Sequence, residues 1–485
     1  MDKNTEKVIT RFAPSPTGFM HVGNVRSALY AWLWTKKNNG TFILRIEDTD
    51  KEREVAGSVE HIQEVLNWLG LKWDEGPDIG GPHAPYFQSE RLNLYKQYAQ
   101  KLIEKGLAYA DSTNEDELDK LRKKAEEEKR PFLFRDHRPE NPPEWDGTQS
   151  LRFKVPKIKS YSWDDLVFGK LSAGPEMLDD FILIKSDGYP TYNFAHIVDD
   201  IEMEITLVMR GMEYISSTPK YLSVYEALEL NPPQYAYLPH IMADGGNKKL
   251  GKRDGAKDIL EYKKEGYLPS AMINFLVLLG WNPGGDKEVF TVDELISIFE
   301  ITRIQKSGAQ LNNTKLDWLN KEHMKLLSEN ERNSKIIERL NSNSISGEDD
   351  FLLKLCPVIF DHISKWGDID TMALAGELDY YFNQPQYEKS LLFWKGKEAV
   401  EETKKHLEHV FEVMTSSLED NFTDVEKIKN LIFDYATENG RGEVLWPLRV
   451  SLSGKDKSPD PFTLIYILGK NETLNRISGA LKKLS

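Results

Sequence analysis

Pro14-Ser15-Pro16-Thr17-Gly18-Phe19-Met20-His21-Val22-Gly23-Asn24 is the stretch whose reading decides the fold. Before it, residues 7–13 (KVITRFA) form a short β-rich run. After it, apolar residues recur at helical spacing through Val25, Ala28, Leu29, Trp32 and Leu33. The Pro- and Gly-rich start, residues 14–18, is a turn. Strand, turn and helix N-terminus together gather backbone N–H groups and the positive end of a helix dipole. That suits a triphosphate, with His21 donating to phosphate oxygens and Asn24 or Ser15 adding hydrogen bonds. The same letters taken alone also read as a Gly/Pro turn carrying an incidental histidine.

Working outward, Gly40 is expected to end that helix, with residues 41–46 (TFILRI) as the next apolar strand. A second helix is expected over 58–69, stopping at Gly70. Strand–helix–strand–helix is the pattern of a parallel, doubly wound sheet. From about 88 to 187 the character changes. Residues 114–130 are charge-dense and helical, residues 131–156 are rich in Pro, Arg and aromatics, and short strands follow at 150–155 and 181–185. This reads as an inserted α+β module. The strand pattern resumes at 207–210, with a helix over 218–228, and beyond about 254 the chain is mostly helical. A second basic loop, Lys248-Lys249-Leu250-Gly251-Lys252-Arg253, follows the second half of the sheet. Its lysines can clamp the charge developing on pyrophosphate, or they are a solvated charge run.

With 485 residues, 40% hydrophobic and 29% charged, the chain has room for about three or four domains. Its longest apolar run, residues 271–281 with Asn274 inside, is about half of what a membrane span needs, so no membrane is expected. The N-terminus shows neither a secretory core nor the basic character of a transit peptide. Cys356 is the only cysteine, which excludes an intrachain disulfide and a multi-cysteine zinc site. A cytoplasmic location is the simplest reading. The net charge of −15 argues, taken alone, against a nucleic-acid partner. Local counts point the other way: residues 248–264 hold seven basic against three acidic residues and 441–485 eight against four, while 401–440 carries −6. Phosphate binding follows local cations, not the sum.

The pairing of the His-x-Gly loop with the later Lys-rich loop resembles the HIGH and KMSKS signatures of class I aminoacyl-tRNA synthetases. RFAPSPTGFMHVGN, ILRIEDTD, WDEGPDIGGPHAPYFQSERLNLY, KSDGYPTYNFA and VDD…MRGMEY…STP are similar to the glutamyl-tRNA synthetase family. LWPLRVSLSG…SPDPF…LGKNETLNRI resembles the anticodon-binding end of its bacterial members. The resemblance runs in order from about residue 8 to 480. It implies an α/β protein with a class I Rossmann-like catalytic domain that carries an α+β insertion, followed by an all-helical C-terminal anticodon-binding domain. The implied divisions are 1–90 and 188–255 for the two halves of the core, 91–187 for an acceptor-end insertion, 256–330 for a stem-contact region and 331–485 for the anticodon-binding domain. The implied partners are L-glutamate, ATP with Mg²⁺, and tRNA(Glu), with tRNA(Gln) as an open second acceptor. A monomer is the family's usual form.

By the same resemblance, Arg11 and Arg210 read the side-chain carboxylate of glutamate and Glu47 meets its α-ammonium. Tyr192 touches its side chain, and Ser15 with the backbone at Ala13 completes the pocket. His21, Gly23 and Asn24 serve ATP, Glu213 and the backbone of Ile241 fall at ATP contacts, and Lys249, Lys252 and Arg253 are the loop cations, Lys252 neutralising pyrophosphate. Read without the family, Arg11 and Glu47 are more commonly a structural pair at a sheet edge. Three departures stand out. Gly251 replaces a usual serine. His196 falls where some relatives carry a small polar residue and reads as a packed core histidine. Residues 109–112 lack the cysteines that bind zinc in some members, so no zinc or other protein-held metal is expected. Basic–aromatic interleaving in 119–138, with Phe132 and Phe134, suits a single-stranded end. Rivals are a glutaminyl-tRNA synthetase, which would usually end in β-barrels, a shorter tRNA-modifying paralogue, and a catalytically silent tRNA-binding paralogue.

Overall fold

Strand β1 (Ile9–Phe12) is buried along its whole length, as a strand flanked on both sides in a parallel sheet must be. The Pro-rich turn then delivers the chain to α1 (Val22–Lys37), whose Val25, Ala28, Leu29 and Leu33 face the sheet fully buried. This helix stops at Asn38, whose N–H reaches back to the last carbonyls, not at Gly40. Gly40 is required for another reason: a Cβ there would lie 2.1 Å from the Val8 carbonyl oxygen. Strand β2 (Thr41–Leu44) runs parallel to β1, Ile9 opposite Thr41, and α2 (Ser58–Trp68) follows. The structure is a computed structural model describing residues 7–243, 248–251 and 257–485.

The middle of the chain builds α3 (Leu92–Glu104), β3 (Ala108–Asp111), α4 (Glu115–Glu127), β4 (Ser150–Phe153), β5 (Tyr161–Asp165), β6 (Gly169–Ala173) and β7 (Ile182–Ile184). Strands β3, β4 and β7 form a small antiparallel sheet. Its first strand holds residues 109–111, where Tyr109 donates to Asp180 (2.9 Å) and Arg152 binds Asp111 (2.6 Å). The hairpin β5–β6 was not foreseen, and it leaves this small sheet for the main one.

Next come α5 (Tyr192–Glu202), β8 (Leu207–Gly211), α6 (Thr218–Leu228), β9 (Gln234–Leu238), β10 (Ile241–Met242), α7 (Ile259–Lys264), α8 (Pro269–Leu278), α9 (Val292–Ile298), β11 (Ala309–Gln310) and α10 (Asn313–Lys325). The main sheet has the order β2-β1-β8-β9-β5-β6, parallel apart from the β5–β6 hairpin. From β1 the chain moves to β2 on one side; β8 and β9 lie on the other. The strand order therefore reverses between β1 and β8, and ligands of such sheets bind in the crevice beyond the carboxyl ends of the strands at that point.

Two compact units result, one of Met1–Lys263 with Leu268–Leu319 and one of Lys264–Tyr267 with Asn320–Ser485. The second unit is built from α11 (Glu329–Ser342), α12 (Asp349–His362), α13 (Gly367–Leu374), α14 (Asp379–Phe382), α15 (Val400–Ser416), α16 (Val425–Asn439), α17 (Arg441–Ser453) and α18 (Pro461–Leu484), with no strand among its described residues. Gly469, at φ 74°, breaks α18 into two segments, since a left-handed residue interrupts the helical ladder. Arg476 is buried beyond the break and is satisfied by the Tyr380 carbonyl (2.6 Å) and Glu472 (2.7 Å).

Candidate active site

A cleft of about 670 Å³ opens at the switch point and is lined by Arg11, Ala13, Ser15, His21, Gly23, Asn24, Glu47, Tyr192, Arg210, Glu213, Ile241 and Lys249. Every site residue expected from the sequence borders it except Lys252 and Arg253, which lie outside the described residues. The last residues of β1 supply Arg11, and the turn after it supplies Ala13 and Ser15. Backbone pairing continues past β2, with Arg45 N–H donating to Phe12 (3.0 Å) and Glu47 N–H to Pro14 (3.0 Å). That extension aims Glu47 at the turn.

His21 is the N-cap of α1. Its Nδ1 accepts from Gly23 N–H (3.1 Å), while Asn24 Oδ1 accepts from His21 N–H (3.3 Å). Two of the helix's N-terminal N–H groups are therefore taken by its own side chains, so the helix end is less open than its sequence suggests. The cap has a chemical consequence: with Nδ1 accepting, a neutral ring carries its proton on Nε2, a donor suited to an anion. Gly23 is part of this device, because a Cβ there would sit 3.0 Å from the imidazole Cε1.

Under the cleft floor lies a buried ionic network. Arg45 is fully buried and donates to Asp200 (2.8 Å) and Glu47 (3.0 Å), with Asp199 at 3.7 Å. Arg11 grips the same Asp200 through Nε (3.0 Å) and Nη2 (3.3 Å). Asp199 is held in turn by Arg91 (2.7 Å), Gln88 (2.7 Å) and Tyr95 (3.0 Å). Burial by itself would raise the Asp200 carboxyl, but Arg11 and Arg45 outweigh it and hold it at about 2. Arg11 and Glu47 are therefore structural partners of other residues, not of each other. Arg45 and Asp200, which join them, were not among the residues expected.

Arg210, at the end of β8 and 7% exposed, has a different environment. Its guanidinium lies 3.7 Å over the Tyr214 ring, donates to the Tyr192 hydroxyl, and stands 3.5 Å from His196 Nε2. His196 gives its Nδ1 proton to the Tyr192 carbonyl at 2.7 Å, which leaves Nε2 as an acceptor towards Arg210. Burial, with Arg11 and Arg45 nearby, pushes the imidazole down to about 3, so it is neutral at physiological pH. All partners of Arg210 in the described structure are uncharged. It is a cleft cation with no anionic partner among the described residues.

Also on the cleft lining, Lys249 reaches Glu213 (3.1 Å), whose other oxygen is 3.7 Å from His240. Glu213 is held below the usual carboxylate range, its own backbone N–H and Lys249 overcoming burial. Lys249 pairs in an isolated bridge with Met242, and Leu250 N–H donates to the Ile241 carbonyl (2.8 Å). That carbonyl is thus already engaged. In the small-sheet module, Phe134 is not free for a nucleobase, being 3% exposed with Arg152 lying 3.5 Å over its ring. Phe132 stacks on His137. A second cavity, about 580 Å³, sits in the helical unit among Tyr380, Tyr381, His362, Arg449, Lys455 and Lys457. No sequence pattern had marked its aromatic members.

Fold and cleft are those of a class I tRNA synthetase. Residues 7–318 match the family described as tRNA synthetases class I (E and Q), catalytic domain, and residues 321–481 match an anticodon binding domain. The chain belongs to the glutamate–tRNA ligase family. It is 42% identical to the glutamate–tRNA ligase of Clostridium botulinum (strain Okra / Type B1), with 99% of each chain covered. The glutamate–tRNA ligase of Anaeromyxobacter sp. (strain Fw109-5) is 39% identical over 98% of this chain and 99% of its own. Among solved structures, the glutamate tRNA ligase from Elizabethkingia meningosepticum, in complex with its amino acid, superposes with a TM-score of 0.89 at 35% identity, covering 99% of this chain and all of that one.

Proposed function

We propose that the chain activates L-glutamate with ATP at this cleft and transfers it to the 3'-terminal adenosine of tRNA(Glu). The observation that carries the reading is the convergence of two sets of groups on one cavity. Arg210, Arg11, Glu47 and Tyr192 line it together with His21, Asn24, Glu213 and Lys249. A dicarboxylic amino acid fits the first set: its α-ammonium meets Glu47, its side-chain carboxylate Arg210 with Arg11 behind it, and Ser15 and the Ala13 backbone close the pocket.

In the first step an oxygen of the α-carboxylate bonds to the α-phosphorus, the bond to the bridging oxygen breaks, and pyrophosphate leaves. A carboxylate is ionised at pH 7, so no general base is needed; position and charge stabilisation carry the step. His21 donates from Nε2 to the phosphates, Asn24 and the Gly23 backbone lie beside them, and Lys249, Lys252 and Arg253 neutralise the departing charge. Mg²⁺ would come bound to the triphosphate as part of the nucleotide substrate and would supply further charge neutralisation there. The cleft's described carboxylates, Glu47 and Glu213, are already paired with Arg45 and Lys249, so they do not form a protein cage for the ion. In the second step a ribose hydroxyl of the terminal adenosine attacks the adenylate carbonyl, and AMP leaves.

Activation depends on bound tRNA in this reading, and the reaction belongs to the cytoplasm. The helical unit receives the anticodon end, with Arg449, Lys455 and Lys457 for backbone phosphates. Lys252→Ala should lower glutamate-dependent ATP–pyrophosphate exchange by orders of magnitude with tRNA affinity retained. Equal exchange in variant and wild type would remove the loop from the chemistry.

A further inference from the structure

His61 sits on α2, outside the cleft lining, yet it holds a residue that touches the cleft's key histidine. Its Nε2 is 2.9 Å from both carboxylate oxygens of Asp258, its side chain is 9% exposed, and its ring lies against Phe19 with centroids 4.6 Å apart. The other ring nitrogen, Nδ1, is buried without a hydrogen-bond partner. A proton there would be an orphaned buried donor, so the proton resides on Nε2 and points into the carboxylate.

Asp258 does three things at once. Its side chain receives His61, its Oδ1 also accepts the Leu260 N–H (3.0 Å) at the start of α7, and its backbone forms an antiparallel bridge with His21. Ile259 N–H donates to the Met20 carbonyl (3.1 Å), reinforcing that bridge. Asp258 also stands a few residues after Lys252 and Arg253 in sequence. The other end of the lysine-bearing stretch is fixed by the Met242–Lys249 bridge.

We propose that His61 and Asp258 are a positioning pair for adenylate formation: they fix Asp258 and the start of α7 against His21, so that the imidazole is held where it addresses the triphosphate. This rests on the activity proposed above. Neither side chain lines the cleft, so the pair acts on the turnover of bound substrates and not on recognition of glutamate.

The test is ATP–pyrophosphate exchange by the full chain with tRNA, comparing wild type, His61→Ala, His61→Gln, Asp258→Asn and the double variant His61→Ala/Asp258→Asn, with thermal midpoints measured alongside. His61→Ala and Asp258→Asn should each lower kcat about ten- to a hundredfold, with the KM for glutamate within about twofold. The double variant should be no worse than either single one. His61→Gln, whose amide can donate to the carboxylate, should recover most of the loss. An unchanged kcat beside a lowered thermal midpoint would make the pair a stabilising contact only, and a raised glutamate KM would place it in recognition; either overturns the proposal. No exchange in the wild type would overturn the activity itself, a separate failure.

Discussion

Selectivity for glutamate over glutamine should rest on Arg210 far more than on Arg11, and Arg210→Gln tests this. Asp200 already neutralises Arg11 at 3.0 and 3.3 Å. A glutamine carboxamide therefore leaves Arg11 no worse off. Arg210 has the Tyr192 hydroxyl, the neutral His196 and the Tyr214 ring, none of them an anion. Breaking a buried, hydrogen-bonded charge pair costs about 2–5 kcal/mol, which converts to roughly 30- to 5,000-fold in kcat/KM. Arg210→Gln should lower kcat/KM for glutamate by that factor in tRNA-dependent pyrophosphate exchange. The value for glutamine should stay within about tenfold of wild type, since the variant also removes a cation that a carboxamide cannot neutralise. Their ratio then collapses. Arg11→Gln should instead weaken both substrates together and lower the unfolding midpoint, because Asp200 loses a partner inside the protein. If Arg210→Gln depressed both substrates equally, or Arg11→Gln alone erased selectivity, the assignment of the charge-reading role would be wrong.

Three further outcomes follow from the same structure. His196 is held neutral down to about pH 3, whereas an unfolded histidine protonates near 6.5, so the unfolded chain binds the extra proton between these values and stability falls as pH drops through that window. Between pH 7 and 4.5 the wild type should lose about 2–3 kcal/mol more than His196→Asn in urea unfolding; parallel losses would mean the imidazole is protonated in the fold. Asp200, depressed to about 2, adds a second loss that begins only below about pH 4 and is complete once pH falls through 2. In the helical unit, Lys455→Ala and Lys457→Ala should each weaken tRNA binding and reduce the slope of log affinity against log salt by about 1. A slope unchanged by both would place the phosphates elsewhere.

The sequence exposed those features that depend on local pattern. The turn at residues 14–18, the apolar face of α1 and the run of β2 are each legible because strand, turn and helix have distinct periods within a few residues. The cleft's membership was legible through the resemblance, since Arg11, His21, Glu47, Arg210 and Lys249 lie in separate motifs that only the fold brings together. What stayed hidden depends on distance. Arg45 follows the alternation of an apolar strand, and nothing nearby shows that Asp199 and Asp200, far along the chain, will surround it. The β5–β6 hairpin joins the main sheet through a bridge between Asp165 and Tyr235, a pairing no local period encodes. Phe134 reads as an exposed aromatic among cations, yet Arg152 covers it from a strand that its own segment does not predict. His196 gains its meaning only from the two atoms its nitrogens face.

The most direct test of the whole account is charging of tRNA(Glu) by the purified chain, supplied with ATP and Mg²⁺ and offered glutamate, glutamine or aspartate in separate reactions. The account predicts aminoacylation with glutamate, accompanied by AMP and pyrophosphate release, and little with the other two. Charging with glutamine at a comparable rate, or tRNA binding with no charging by any of the three, would contradict it.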